Sequence, residues 1–82
     1  SCARLPLRDE VEKRLAQYFR DIPEAGQIRH TTLHYLNGRI DIELRLPLTA
    51  VANHSEAEQL ARRFAEAAKL DQDIGRLEVL FF

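Results

Sequence analysis

The sequence predicts a two-layer α+β domain in the order α-β-β-α-β, with two helices on one face of a three-stranded mixed sheet. Three observations predict it. Asn37-Gly38 separates two alternating segments, 27–36 and 39–46, the strongest short-range mark of a β-hairpin, because a type I′ turn needs positive φ at both central positions. Apolar residues recur at helical spacing on either side of that hairpin, over 7–22 and 55–70. A last apolar run, Arg76 to Phe82, has the alternation of a strand.

Each element has its own warrant. Residues 1–6 read as a frayed N-terminus closing on Pro6, within one domain spanning 1–82. Leu7, Val11, Leu15, Tyr18/Phe19 and Ile22 form the apolar stripe of the first helix, with Asp9 and Glu10 in its first turn, where carboxylates favour the helix dipole. Pro23 and Gly26 end it. In the hairpin, Asn37-Gly38 as the two-residue loop pairs Tyr35–Ile40, Leu33–Ile42, Thr31–Leu44 and Arg29–Leu46 on one face. Leu36–Arg39, His34–Asp41, Thr32–Glu43 and His30–Arg45 fall on the other. A slip of one residue would set Leu33 against Asp41 or Glu43, so the apolar patterns of the two strands agree only in this register. Pro47 stops the second strand. Ser55-Glu56-Ala57-Glu58 has the form of a capping box, with Ser55 as N-cap and Glu58 in the third helical position. Ala57, Leu60, Ala61, Phe64 and Ala68 make the buried stripe of the second helix, which runs to about Leu70. Leu77, Val79 and Phe81 of the last strand point one way and Glu78, Leu80 and Phe82 the other. As a crossover from the second strand, it lies parallel to the second or the first.

The 82 residues suffice for one small core. A domain of this size buries only roughly 60–65% of its unfolded surface and gains from partner contacts. The net charge is −1, with both signs spread along the chain. The footprint of a nucleic-acid binder is therefore missing, and no run of Lys and Arg marks an anionic membrane. No apolar run approaches the ~20 residues of a membrane span. The N-terminus lacks the pattern of a signal peptide. Cys2 is the only cysteine, which excludes an internal disulfide and fits a reducing compartment. It reads as incidental, or as an added thiolate ligand if the terminus folds back.

The polar hairpin face is where metal-binding side chains meet. His34 opposes Asp41, and His30 is diagonal to Glu43; cross-strand partners have Cβ atoms about 4.5–5.5 Å apart. Imidazole nitrogens and carboxylate oxygens suit Zn²⁺ and similar divalent ions. The plainer alternative is a solvated face carrying cross-strand ion pairs, His34 with Asp41 and Arg45 near Glu43. Catalysis has little support. Glycine-rich phosphate loops, a His-Glu-x-x-His pair and a nucleophile elbow are all lacking, and the acidic pairs Asp9/Glu10 and Glu56/Glu58 suit helix N-termini. Leu80 and Phe82, opposite the core side of the last strand, leave apolar surface open to a partner.

Several of these segments resemble the cytoplasmic C-terminal domain of cation diffusion facilitator transporters, over about Leu7 to Phe82. His30, eight residues before Gly38, is similar to the family's Val-His-x-Leu-Arg…Gly pattern. Ile40 to Leu46 resembles its second strand, Ser55 to Ala61 its helix signature, and Arg76 to Phe82 its final Val-x-Val-His strand. The resemblance implies a metallochaperone-like, ferredoxin-like fold and a homodimer beneath a transmembrane domain, either attached or lost. It also implies a divalent metal, zinc foremost, bound at the dimer interface to regulate transport. Of the family's ligand positions, His30 is retained, Glu43 and Glu58 replace two histidines, and Leu80 and Phe82 stand in place of a histidine and an acid. The resemblance thus implies metal ligands among His30, His34, Asp41, Glu43 and Glu58, with dimer contacts at Leu80 and Phe82. A purely structural dimerisation module and a small-ligand domain with a pocket between helix and sheet are the other readings.

Overall fold

The computed structural model describes residues 4–82; Cys2, with the start of the expected frayed segment, lies outside the described residues. The order is α1 (Arg8–Tyr18), a 3-10 turn (Pro23–Gln27), β1 (His30–Leu36), β2 (Arg39–Leu46), a second 3-10 turn (Leu48–Ala50), α2 (His54–Ala67) and β3 (Ile74–Phe81). The sheet order is β1-β2-β3. The hairpin is antiparallel and β3 runs parallel to β2, the geometry that the α2 crossover requires.

The turn sets this arrangement. Asn37 has φ 52° and Gly38 φ 76°, both in the left-handed region that a type I′ turn demands. The pairing that follows is Leu36↔Arg39, Tyr35↔Ile40, His34↔Asp41, Leu33↔Ile42, Thr32↔Glu43, Thr31↔Leu44 and His30↔Arg45, as the alternation predicts. Ile40, Ile42, Leu44 and Leu46 are thereby buried as a set. Both helices cover that face. Val11, Leu15 and Phe19 of the α1 segment and Leu60, Phe64 and Ala68 of the α2 segment join the four β2 side chains in the core. Phe19 meets Phe64 edge to face at 4.8 Å between centroids, a favoured aromatic geometry.

Several boundaries differ from the sequence reading. β1 starts at His30 and not at 27, because Pro23–Gln27 winds into a 3-10 turn; α2 ends at Ala67 and not near Leu70; and β3 starts at Ile74 and not at Arg76, through its pairing with Ile40. Two further differences have their reason in capping and in proline geometry. The first helix ends at Tyr18, with Phe19 as C-cap, and not at Ile22. Pro23 forces its predecessor out of the helical region, and Ile22 sits at φ −107°, ψ 104°. Ile22 remains buried from this turn. The second helix starts at His54, so Ser55 lies inside it. Its N-cap is Asn53, whose side chain accepts from the Glu56 N–H at 2.9 Å, while the Glu56 carboxylate accepts from the Ala52 N–H at 3.0 Å. The reciprocal cap therefore exists two residues earlier than expected. Asn-x-x-Glu caps in the manner of Ser-x-x-Glu, with Glu56 reaching the N–H of the residue before the cap, and Asn53 alone of the two has extended backbone.

A polar cluster fastens α1 to the connection between α2 and β3. Tyr18 Oη donates to Asp71 at 2.6 Å, and Arg14 donates to Asp71 at 3.2 Å and to Asp73 at 2.9 Å. The Asp71 side chain is 5% exposed. Burial by itself would raise its pKa, but the hydrogen bonds from Tyr18, the Asp73 N–H and Arg14, with the Arg14 charge, outweigh that and hold the carboxyl below its ordinary range. The same bond to Asp71 raises the Tyr18 phenol. Asp71→Asn is expected to cost about 1–3 kcal/mol, the usual range for a buried bond to a charged group. Because the folded pKa is lowered, the contribution is complete above the unfolded value of about 3.9 and is lost as pH falls through the folded one. Melting temperatures measured from neutral pH down into that range should therefore fall less steeply for the Asn variant than for the parent.

Candidate metal and association face

The side of the sheet turned away from the helices carries the residues singled out in the sequence. Strand register arranges them in rows. His30, Arg45 and Leu80 form the first row, and Thr32, Glu43 and Glu78 the second. His34 and Asp41 form the third, beside the point where the β2–β3 register shifts between Ile40 and Ile42. Phe82 follows β3, two residues beyond Leu80; its ring lies 6.4 Å from the His30 ring, inclined by 39°. His30 and His34 are exposed. Leu80 is 43% and Phe82 58% exposed, large values for apolar side chains on a sheet face.

Two of the candidate carboxylates have partners within the chain. Asp41 Oδ1 accepts from the backbone N–H of Arg76 at 2.8 Å. The carboxylate bridges the strands where the ladder shifts, satisfying a backbone donor that the irregular pairing would otherwise leave to solvent. Glu43 accepts from Arg45 at 2.9 Å, the ion pair expected for a solvated face. Glu58 is not part of this face. It lies on α2, in the other layer, and the cap formed by Asn53 and Glu56 leaves it to face His54 at 3.5 Å, both groups exposed. Its assignment to a capping box is thus corrected.

His34, Asp41, Glu43 and Glu78 share a shallow hollow of about 220 Å³, with Arg76 on its wall. Glu78 was not singled out from sequence. Its place depends on β3 pairing with β2 in the register Glu43↔Glu78, and alternation within β3 cannot give a cross-strand register. The two carboxylates are adjacent like charges, tempered by Arg45 on one side and Arg76, 3.9 Å from Glu78, on the other. Among the described residues of one chain, no three His, Cys, Asp or Glu side chains come together as a group able to hold a metal ion. A wider groove of about 530 Å³ lies between α1 and the sheet, lined mainly by apolar groups such as Leu15, Phe19, Ile28 and Leu44. Its polar side chains are those of Glu12, Arg20 and Thr31. No helix is long and apolar enough to cross a membrane, among the described residues.

This architecture matches the fold of cation diffusion facilitator C-terminal domains. The solved structures it matches include several of the C-terminal domain of MamM, a member of that family. One MamM-CTD structure aligns over 93% of this chain and 98% of its own, with TM-score 0.67 and 15% identity. A copper form aligns over 93% and 96% with TM-score 0.67, and a nickel form over 90% and 95% with TM-score 0.65, each at 15% identity. At that identity the likeness is one of fold. No protein-family model matches the chain, and no curated protein matches it.

The role of Asp41 is open to a direct check. A Cβ at Gly75 would stand 2.5 Å from Asp41 Oδ1, closer than real Cβ contacts. Gly75→Ala should destabilise the fold by about 1 kcal/mol, as mutations that disrupt a single contact usually do. In an Asp41→Ala background the same change should cost much less. Denaturant titrations of the four proteins give the coupling.

Proposed function

We propose that the chain is a regulatory domain of the cation diffusion facilitator kind: a homodimer that pairs through the open sheet face and is tightened by a divalent transition metal ion, zinc foremost. In this reading it works in the cytoplasm, beside or attached to a transmembrane part whose cation transport it regulates, and it performs no catalysis. The observation that carries the reading is the first row of the open face. With the neighbouring Phe82, it sets the imidazole of His30 against one exposed apolar ring and in the same row as exposed Leu80, so one surface offers both a candidate metal ligand and an apolar contact. Variants of MamM-CTD in which a histidine replaces an acid have nickel and copper forms, so a domain of this fold can take up a transition metal when imidazole is supplied.

A site drawing on His30, His34, Asp41 and Glu43 would be completed between two chains, since one chain offers no three-ligand group among its described residues. Asp41 and Glu43 would each give up a present partner, which lowers affinity. Metal bound only by the closed dimer stabilises it by RT ln(1 + [L]/Kd), about 2.7 kcal/mol at a hundredfold excess over Kd.

The second reading is a metal-independent dimerisation module. The engaged carboxylates, and the apolar side chains at 80 and 82, favour it. The two separate cleanly. Metal responsiveness predicts that Zn²⁺, Mn²⁺ or Cu²⁺ binds in calorimetric titrations at neutral pH and raises the melting temperature, with His30→Ala reducing both effects. Absence of binding leaves the structural module, which predicts a dimer in chelator by light scattering, weakened by Phe82→Asp and indifferent to His30→Ala. A monomer at micromolar concentration contradicts both.

A further inference from the structure

The two asparagines of the chain, Asn37 and Asn53, stand in opposite situations. Asn53 is held. Its side chain accepts from the Glu56 N–H at 2.9 Å, and the amide that follows it belongs to the first turn of α2. Asn37 is followed by Gly38 at the tip of the hairpin, where residues 34–39 are all exposed. Glycine has no side chain to screen its own main-chain nitrogen. A Cβ at Gly38 would meet nothing within 4 Å, so no neighbour crowds that position either. Both residues have positive φ, and their exposure leaves few buried contacts to hold the tip closed. Local opening at such a place costs little.

An asparagine in this setting carries an electrophile next to a nucleophile. When the turn opens, the main-chain nitrogen of Gly38 gives up its proton and attacks Cγ of Asn37. The N–Cγ bond forms, the Cγ–Nδ2 bond breaks, and ammonia leaves with that proton. The product is a cyclic succinimide. Water then opens the ring at one of its two carbonyls. Attack at Cγ gives aspartate on the original main chain. Attack at the main-chain carbonyl carbon gives isoaspartate, in which the chain runs through Cβ and Cγ and is one atom longer. Water is the only co-reactant, and no electrons are exchanged.

We propose that Asn37 is a site of spontaneous deamidation whose isoaspartyl product releases the hairpin register. The aspartyl product keeps the turn, because Asp-Gly suits type I′ as Asn-Gly does. The isoaspartyl product does not. The two-residue loop gains a main-chain atom, and Leu36 and Arg39 no longer flank it in register. β1 is the strand that moves, since β2 is also fixed along its other edge by β3. The rows that set His34 against Asp41 and Thr32 against Glu43 loosen with it. Deamidation is thus a one-way chemical release of the open face, independent of what that face binds.

The test is incubation of the chain at mildly alkaline pH, then ion-exchange separation of the products and peptide mapping by mass spectrometry. Conversion is expected at Asn37, with Asn53 intact. Cleavage by an Asp-specific protease tells the aspartyl form from the resistant isoaspartyl one. The isolated aspartyl form should melt with the parent, and the isoaspartyl form lower by about 4 °C or more in a domain of this size. Asn37→Gly keeps a dipeptide that suits the same turn, and it should pass through the incubation without change of charge or melting temperature. Absence of conversion at Asn37 overturns the proposal, as does equal conversion at Asn53. So does an isoaspartyl form that melts with the parent, or an Asn37→Gly chain that loses as much stability on incubation.

Discussion

The register of one hairpin is the constraint on which the rest of this molecule depends. Positive φ at Asn37 and Gly38 fixes which residues of β1 and β2 oppose one another. Because the side-chain period of a strand is two, that choice also fixes which residues face the helices. Ile40, Ile42, Leu44 and Leu46 then form the floor of the core, and every other element is placed against it. A slip of one residue would bury Asp41, Glu43 and Arg45 beneath two helices, at several kcal/mol for each uncompensated charge. The same register gathers His30, His34, Asp41 and Glu43 on the open side. Fold and candidate site are thus two faces of one choice.

That constraint explains why so much was legible. Patterns repeating with a fixed period report on a face, and the strands and helices of this chain carry such patterns without interruption. The parallel pairing of β3 also follows from the crossover rule. What escaped depends on partners outside the pattern. Asn53 and Ser55 each satisfy a capping motif with an acid three residues later, and the motif cannot say which one has extended backbone. The first helix stops early because the conformation of Ile22 is dictated by the proline after it. The register of β3 against β2 rests on packing and on the Asp41–Arg76 bridge, so the position of Glu78 beside Glu43 could not be read. The Arg14–Tyr18–Asp71–Asp73 cluster joins residues more than fifty apart, and no local signal foretold it.

The open face combines features that pull in different directions. Carboxylates engaged with Arg45 and the Arg76 N–H are ordinary structural groups. His30, beside Phe82 and in the row of Leu80, is less easily explained by the fold alone. In a chain this small, where burial is limited, exposed apolar side chains on a sheet are costly unless they are covered. In the proposed reading, association through this face would answer that cost, and the imidazole at its margin would give a metal ion a means of modulating it.

The central claim is that the open face, and not the helical layer, is where chains meet and metal acts. Amide NMR spectra of the labelled chain, recorded across a dilution series and then with added Zn²⁺, test it most directly. The account predicts that the moving resonances map to His30, Leu80, Phe82 and their row neighbours in β1 and β2, with α1 and α2 unmoved. Perturbations confined to the helices, or none across the concentration series, would contradict it.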